Sequence, residues 1–290
     1  MIRTVLVPLD GSKAAEAVIP YVELIATRTK AAVHLLSVVD VEDPEAKTAE
    51  ARSYLDARAA ALSPISCSAS VKPGDEAQVI LAEADAGNAD LIAMSTHGRS
   101  GLMRWVLGSV ATKVLHASAR PLLLVRARDA GDVSPPVIDR ILVPLDGSQL
   151  SLAVLPYVEE LAEALGASLV LFNAVLPLDI YPGTEMTPAR VGGVIDDLLT
   201  QGQAFLAQVA GEIEGRGKVK VRSVVTIGFP VDEVVRVATE VNAGLVALAT
   251  HGRSGVNRWV MGSVADGVVR RSSLPCLMVR PREVSEEEGQ

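Results

Sequence analysis

Two short segments of this 290-residue chain carry polar and glycine residues of the kind that form ligand sites, and each segment occurs twice. The first reads VLVPLDGS over Val5–Ser12 and returns as ILVPLDGS over Ile141–Ser148, with seven of eight positions identical. The second reads THGRSGLMRWVLGSV over Thr96–Val110 and returns as THGRSGVNRWVMGSV over Thr250–Val264, with twelve of fifteen identical. Because two separate segments recur in the same order, the repeated unit is a domain and not a short solenoid repeat.

The second segment is a glycine-containing loop that opens a helix. Gly98 lets the backbone approach a ligand closely, since it has no side chain. Gly108 and Ser109 precede a predicted helix starting at Val110, whose first N–H groups and dipole favour a phosphate. The spacing matches neither the Walker A loop nor the GxGxxG fingerprint. The corresponding residues of the second copy are Gly252, Gly262, Ser263 and Val264.

The charged side chains of these segments each have two interpretations. Asp10 and Asp146 either bind the ribose or adenine edge of a nucleotide or cap the helix that follows. Arg99 and Arg253 either neutralise phosphates or are solvated.

The two loop histidines, His97 and His251, are candidates for a general base or a metal ligand. Each half supplies only one of them, with no second ligand at a suitable spacing, so a loop hydrogen bond or phosphate contact is favoured.

The surrounding elements are predicted to alternate between strand and helix, which indicates an α/β fold of two repeated doubly wound domains, each with a five-stranded parallel sheet. Ligands of such sheets bind beyond the carboxyl ends of the strands. The two segments follow predicted strands one and four, so they are expected to face one crevice. The predicted strands of the first half are 3–9, 31–39, 65–71 (a weak edge strand), 90–95 and 121–126. The predicted helices are 13–29, 44–62, 75–86 and 110–117, with a kink at Pro20 that Pro156 repeats.

The repeat divides the chain into domains at 1–128 and 138–282, with a linker at 129–137 and an acidic tail at 283–290 that we expect to be disordered. The second domain has 18 more residues between its first and fourth strands, all within 176–217. This insertion is either a lid or a longer helix with its loop.

Composition limits the classes of partner. The net charge of −8 and pI of about 5.1 argue against nonspecific nucleic-acid binding. Aromatic residues make up only 3% of the chain, so the core must be aliphatic.

No apolar run is long enough for a membrane span, and the N-terminus lacks a signal-peptide pattern. Cys67 and Cys276 form no CxxC motif, so we expect a reducing cytoplasm.

On these motifs the whole chain resembles a tandem universal stress protein. ATP-binding members of that family carry G-x2-G-x9-G-[ST] after strand four and an aspartate after strand one. Gly98-x9-Gly108-Ser109 and its copy match the later part, and Asp10 and Asp146 match the aspartate. Ser95 and Ala249 stand where the motif has its first glycine. The resemblance implies a Rossmann-like fold, similar to adenine-nucleotide α-hydrolases, with strand order 3-2-1-4-5.

The resemblance further implies an ATP-binding stress-response protein that acts through its binding state. Because the sequence has neither a Walker A lysine nor a kinase catalytic loop, we expect weak ATPase activity at most. Its cofactors would be ATP, ADP or AMP, with Mg²⁺ arriving on the nucleotide. We expect the halves to pack as an internal pseudo-dimer and the chain to form a homo-oligomer. The regulatory protein partner is not identified by the sequence. Alternatives are a nucleotide-free interaction scaffold and a slow nucleotide hydrolase that uses His97 or Asp10.

The predicted nucleotide-binding residues occupy equivalent positions in the two halves. In the first half they are Pro8, Leu9, Asp10, Val38, Ser95, His97, Gly98, Arg99, Gly108, Ser109 and Val110. In the second half they are Pro144, Leu145, Asp146, Ala174, Ala249, Gly252, Arg253, Gly262, Ser263 and Val264.

Overall fold

A computed structural model describes residues 1–40, 44–96, 107–127, 135–176, 188–217, 219–252 and 261–281. In these residues two halves with the same order of strands and helices follow each other. The predicted α/β fold is therefore confirmed. Within the insertion 176–217, the described residues are Leu176 and 188–217. Most of the predicted linker and all of the predicted acidic tail lie outside the described residues, and the domain bounds stay predictions.

The first half contains five strands and five helices. They are β1 (Thr4–Pro8), α1 (Lys13–Glu16), α2 (Ile19–Thr29), β2 (Ala32–Val39), α3 (Pro44–Ala61), β3 (Cys67–Pro73), α4 (Glu76–Ala86), β4 (Leu91–Ser95), α5 (Ser109–Ala117) and β5 (Leu122–Val125).

The second half repeats this order. Its elements are β6 (Arg140–Pro144), α6 (Gln149–Leu152), α7 (Leu155–Leu165), β7 (Ser168–Val175), α8 (Pro188–Gly215), β8 (Val221–Ile227), α9 (Pro230–Glu240), β9 (Leu245–Ala249), α10 (Ser263–Arg271) and β10 (Cys276–Val279). The helix α8 has 28 residues where α3 has 18, so part of the insertion is a longer helix.

The predicted single helix over 13–29 is two helices in the structure. Pro20 has no N–H to donate to the carbonyl of Glu16, four residues earlier, and α1 ends at Glu16. The second helix then begins at Ile19, with Pro20 in its first turn, where no N–H is needed. Pro156 separates α6 from α7 in the same way. The predicted kink is thus a complete break.

The ten strands form one sheet in the order β3-β2-β1-β4-β5-β10-β9-β6-β7-β8. Strands pair in parallel within each half, and the first half has the expected order 3-2-1-4-5 with β3 at the edge. Between the halves, β5 and β10 pair antiparallel, with Leu123 opposite Leu277. The described strands therefore form a sheet that is continuous from the first half to the second.

The core lies on both faces of the sheet. Along β1, Val5 and Val7 pack into one apolar cluster, and Leu6 between them packs into the other. Ile141, Val143 and Leu142 of β6 divide between the same two clusters. Strands buried on both faces explain the nearly continuous apolar runs in the sequence. Within the described ranges, no helix combines the length and hydropathy that crossing a bilayer requires.

His34 makes stability depend on pH. It lies on β2, where its Nδ1 and Nε2 atoms are each 2.8 Å from a hydroxyl of β3, Ser68 Oγ and Ser70 Oγ. Partial burial lowers the pKa of His34, and Glu83 only partly opposes that effect. Below about pH 6.5 the unfolded chain gains a proton at this position more readily than the folded chain. We expect the free energy of unfolding to fall as the pH drops through this window.

The variant His34→Gln is expected to lose this component of the pH dependence. The slope that one histidine adds stays below about 1.4 kcal/mol per pH unit, the limit for a single proton. Urea unfolding at about pH 7.5 and about pH 5.5 measures the difference. An unchanged difference between the two pH values in the variant would show that His34 is not responsible.

Candidate functional site

Each half has a cavity at the carboxyl end of its parallel strands. The first cavity, of about 320 Å³, lies where β1, β2 and β4 end and where α4 and α5 begin. The second cavity, of about 520 Å³, lies at the equivalent place in the other half. The doubly wound topology makes this edge of the sheet the usual ligand site, since the connections diverge there.

The structure places the described predicted residues around these cavities. In the first cavity they are Pro8, Leu9, Asp10, Val38, Ser95, Gly108, Ser109 and Val110. In the second they are Pro144, Leu145, Asp146, Ala174, Ala249, Gly252, Gly262, Ser263 and Val264. The predicted residues His97, Gly98, Arg99 and Arg253 lie outside the described residues. Nucleotide binding by either set stays a prediction.

In the turn after β1, the residue that caps the helix differs from the residue that lines the cavity. The N-cap of α1 is Ser12, whose Oγ accepts a 3.1 Å hydrogen bond from the backbone N–H of Ala15. Asp10 closes the turn before it, because its Oδ1 accepts the N–H of Ser12 at 2.9 Å. Gly11 has a φ of 81°, a conformation that strongly favours glycine. Asp10 is thus fixed at the cavity wall while the serine caps the helix.

The second copy of this turn has the same construction. Oδ1 of Asp146 accepts hydrogen bonds from the N–H of Ser148 at 2.9 Å and from its hydroxyl at 2.6 Å. Ser148 Oγ in turn accepts the N–H of Ser151 at 3.1 Å. Gly147 has a φ of 87°. The repeated sequence LDGS therefore encodes a repeated local structure.

In the second half the two repeated segments meet at Gly252. A β-carbon at Gly252 would overlap the carboxylate of Asp146, lying 3.2 Å from its Cγ and closer to Oδ2. The loop after β9 therefore packs directly on the turn after β6, as the prediction of one shared crevice requires. Glycine is needed here because any side chain would displace the aspartate.

The N-terminus of α10 provides the anion-binding feature of the second cavity. The N–H of Gly262 donates to the carbonyl of Thr250 at 2.8 Å, which fixes the end of the loop to the end of β9. Gly262 is the N-cap and has no side chain to cover the first turn. Ser263, Val264 and Ala265, the first residues of the helix, line the cavity. Their N–H groups favour a negatively charged group at this position.

The first cavity repeats this arrangement. The N–H of Gly108 donates to the carbonyl of Thr96 at 2.8 Å, and α5 begins at Ser109 without a capping side chain from Gly108. No lysine or arginine is among the described residues that line either cavity. In this part of the chain the attraction for an anion therefore comes from helix N-termini.

The wall of the second cavity formed by β7 and α8 contains residues that the sequence patterns did not identify. Asn173 is 8% exposed, and its Nδ2 donates to the carbonyl of Leu145 at 2.7 Å. A β-carbon at Gly202 of α8 would lie 2.9 Å from Asn173 Oδ1, so only glycine lets this helix pack so closely. Gln201 and Phe205 of the same helix also line the cavity. A glycine inside a helical pattern was the available signal.

The two cavities differ in charge at the helix that follows the third strand. In the first half Glu76 lines the cavity, and Asp75 caps α4 and forms a 3.2 Å ion pair with Lys113. The N–H of Gln78 and the ammonium of Lys113 hold the pKa of Asp75 below its ordinary value. The second half has Pro230, Phe229 and Gly267 at the positions of Glu76, Asp75 and Lys113. Its cavity is therefore less acidic at this wall.

His251 lies at the second cavity, where its Nδ1 is 2.9 Å from the hydroxyl oxygen of Thr250. Across the described part of the chain, no three His, Cys, Asp or Glu residues come together as a metal site would require. His251 thus makes a hydrogen bond within its loop, and its functional role stays a prediction.

Comparison with known proteins shows the same two units. The model of the universal stress protein family matches residues 1–126 and 138–280. A universal stress protein of Mycolicibacterium smegmatis is 30% identical over 199 residues, which cover 67% of this chain and 63% of that relative. The match thus spans less than two thirds of that relative. A universal stress protein of Methanocaldococcus jannaschii is 30% identical over 142 residues, covering 49% of this chain and 81% of the relative.

Solved structures show the same fold along the whole chain. A universal stress protein from Archaeoglobus fulgidus superimposes with a TM-score of 0.71 at 20% identity, covering 98% of each chain. A putative universal stress protein from Pseudomonas aeruginosa has a TM-score of 0.69 at 19% identity, covering 97% of this chain and 94% of the other. At this level of identity the comparison shows the fold alone.

Proposed function

Because this chain belongs to the universal stress protein family as a tandem two-domain member, we propose that each half binds an adenine nucleotide at the carboxyl end of its strands. The observation that carries the proposal is the convergence at each cavity of an aspartate-containing turn, a strand end and an uncapped helix N-terminus. The first supplies an acceptor for sugar or base N–H and O–H groups. The last supplies N–H donors for phosphate oxygens.

The proposed pose follows from the polarity of the two ends of each cavity. Adenine lies against Val38 and the backbone of Pro8–Asp10 in the first half, and against Ala174 in the second. The phosphates lie at the first turn of α5 or α10. Mg²⁺ comes with the nucleotide, since this ion prefers phosphate oxygens and water to a cage built by protein alone. Asp10 and Asp146, already oriented by their turns, position the ribose.

We further propose that the protein acts in the stress response through its nucleotide-bound state. The sequence carries neither a Walker A lysine nor a kinase catalytic loop, which are groups that phosphoryl-transfer enzymes use. Hydrolysis is accordingly expected to be slow or absent. The antiparallel pairing of β5 with β10 supports an internal pseudo-dimer of the two halves. Bound nucleotide would then bias the assembly of whole chains, or their binding to partners, in the cytoplasm.

The first test is the content of the purified protein. We expect ATP or ADP to be released on denaturation of protein purified without added nucleotide, or two sites per chain to appear when nucleotide-free protein is titrated with Mg-ATP. Mass spectrometry and calorimetry measure these outcomes. A protein that is empty and gives no heat would support a nucleotide-free scaffold of the same fold. Rapid phosphate release, lost in Asp10→Asn, would support a hydrolase.

A further inference from the structure

Two arginine side chains, one from each half, donate hydrogen bonds to the opposite half beside the seam between β5 and β10. Arg126 follows β5 in the first half, and its Nη2 donates to the carbonyl of Arg270 in the second half at 2.6 Å. Arg280 follows β10 in the second half, and its Nη1 donates to the carbonyl of His116 in the first half at 3.2 Å. The two arginines are equivalent in the repeat, as are the two residues they contact. The contacts therefore form a symmetric pair.

Both contacted carbonyls lie in the last turn of a helix that begins at a cavity. Arg270 is near the end of α10, whose first residues line the second cavity, and His116 is near the end of α5, whose first residues line the first. The last carbonyls of a helix have no partner within it, and a cation there is favoured by the helix dipole. Each helix has nine residues and is thus about 13 Å long, short enough to move as a rigid unit.

The arginines are themselves held by the sheet. Arg126 immediately follows Val125 at the end of β5, and Arg280 immediately follows Val279 at the end of β10. Pairing of these two strands fixes where each arginine leaves the sheet. The end of each phosphate-facing helix is thereby anchored to the backbone of the other half, in addition to contacts within its own half.

We infer that Arg126 and Arg280 are positioning residues that act across the seam: Arg126 supports ligand affinity in the second cavity, and Arg280 supports it in the first. The inference rests on the proposed function, since it requires that the helix N-termini bind phosphate. Loss of an arginine releases the far end of the helix and removes a cation from its negative pole. The N–H groups at the near end then present a less fixed and less favourable site to the anion.

The test uses the full chain and measures each cavity separately by calorimetry with Mg-ATP. Gly252→Val is expected to leave only the first cavity able to bind. Gly108→Val places a side chain at the N-cap of α5 and is expected to leave only the second. With only the second cavity open, Arg126→Ala is expected to weaken binding about threefold to tenfold. With only the first cavity open, the same substitution is expected to leave affinity unchanged. Arg280→Ala is expected to give the reverse pattern.

A matched control is Arg120→Ala. Arg120 lies just before β5 and pairs with Asp85 of its own half at 3.4 Å, so its loss is expected to affect neither cavity. Arg126→Lys retains the positive charge and is expected to restore part of the affinity. If Arg126→Ala does not fold, the affinity of Arg126→Lys for Mg-ATP can still be compared with that of the unsubstituted protein.

Hydrogen exchange gives a readout that needs no ligand. Arg126→Ala is expected to speed amide exchange in α10 and not in α5. If the intact protein does not bind Mg-ATP, the proposed function fails, and the exchange pattern still reports whether the arginine anchors the distant helix. If the protein binds Mg-ATP but Arg126→Ala weakens both cavities equally, or neither, the inference is overturned.

Discussion

Replacing Gly252 with valine is expected to remove nucleotide from the second cavity and to reduce the number of bound nucleotides from two per chain to one. A side chain at this position would occupy the space of the Asp146 carboxylate. Either the aspartate turn or the loop after β9 must then move, and both form the cavity wall. A displacement costing up to about 3 kcal/mol corresponds to a loss of affinity of about a hundredfold. Calorimetric titration with Mg-ATP gives both stoichiometry and affinity.

The matched control for this substitution is Gly211→Val. Gly211 lies on α8 in the same half, and a β-carbon there would meet no atom within 4 Å. The control is expected to bind two nucleotides with unchanged affinity. Two normal sites in Gly252→Val would mean that the nucleotide does not bind where Asp146 and Gly252 meet, and the proposed site would be wrong.

Replacing Leu277 with alanine is expected to lower the free energy of unfolding by about 2–5 kcal/mol. Leu277 is 2% exposed, lies on β10 opposite Leu123 of β5, and packs in the apolar cluster shared by the two halves. The substitution removes buried methyl groups and leaves a void at the seam, where neighbouring strands are held by pairing on both sides. Urea unfolding followed by far-ultraviolet circular dichroism measures the loss.

The comparison for this prediction is Val137→Ala, because Val137 is 65% exposed. A change of no more than about 0.5 kcal/mol is expected there. If the two variants lost the same small amount of stability, the seam would contribute little to the stability of the chain.

The order of elements was predictable because each strand is a short apolar run between turn residues. Asp10-Gly11-Ser12 after β1 shows this clearly: the residues that end the strand also make the turn and the helix cap. The helix over 13–29 was predicted less well. The apolar spacing continues across Ala17 and Val18, and only the missing N–H of Pro20 ends α1 early. A local covalent constraint therefore outweighed a correct periodic pattern.

The residues that line the two cavities were predictable as far as the duplicated motifs extend. The Asp146 turn and the Gly252 loop were placed in one crevice because parallel strands end on the same edge. The contribution of α8 was not predictable in this way. Its apolar pattern identifies a helix, but nothing local says that Gly202 faces Asn173, which depends on packing between elements distant in sequence. The crossing contacts of Arg126 and Arg280 are equally non-local.

The seam between β5 and β10 has a consequence for how the two halves diverge. In a symmetric pair of identical subunits, every substitution changes both sites at once. Here the two units share one polypeptide but have separate sequences, so a substitution changes one site and leaves the other unaltered. The halves differ at equivalent positions: Val38 corresponds to Ala174, and Lys113 corresponds to Gly267. In a chain of this kind the two cavities are free to differ in ligand affinity and selectivity.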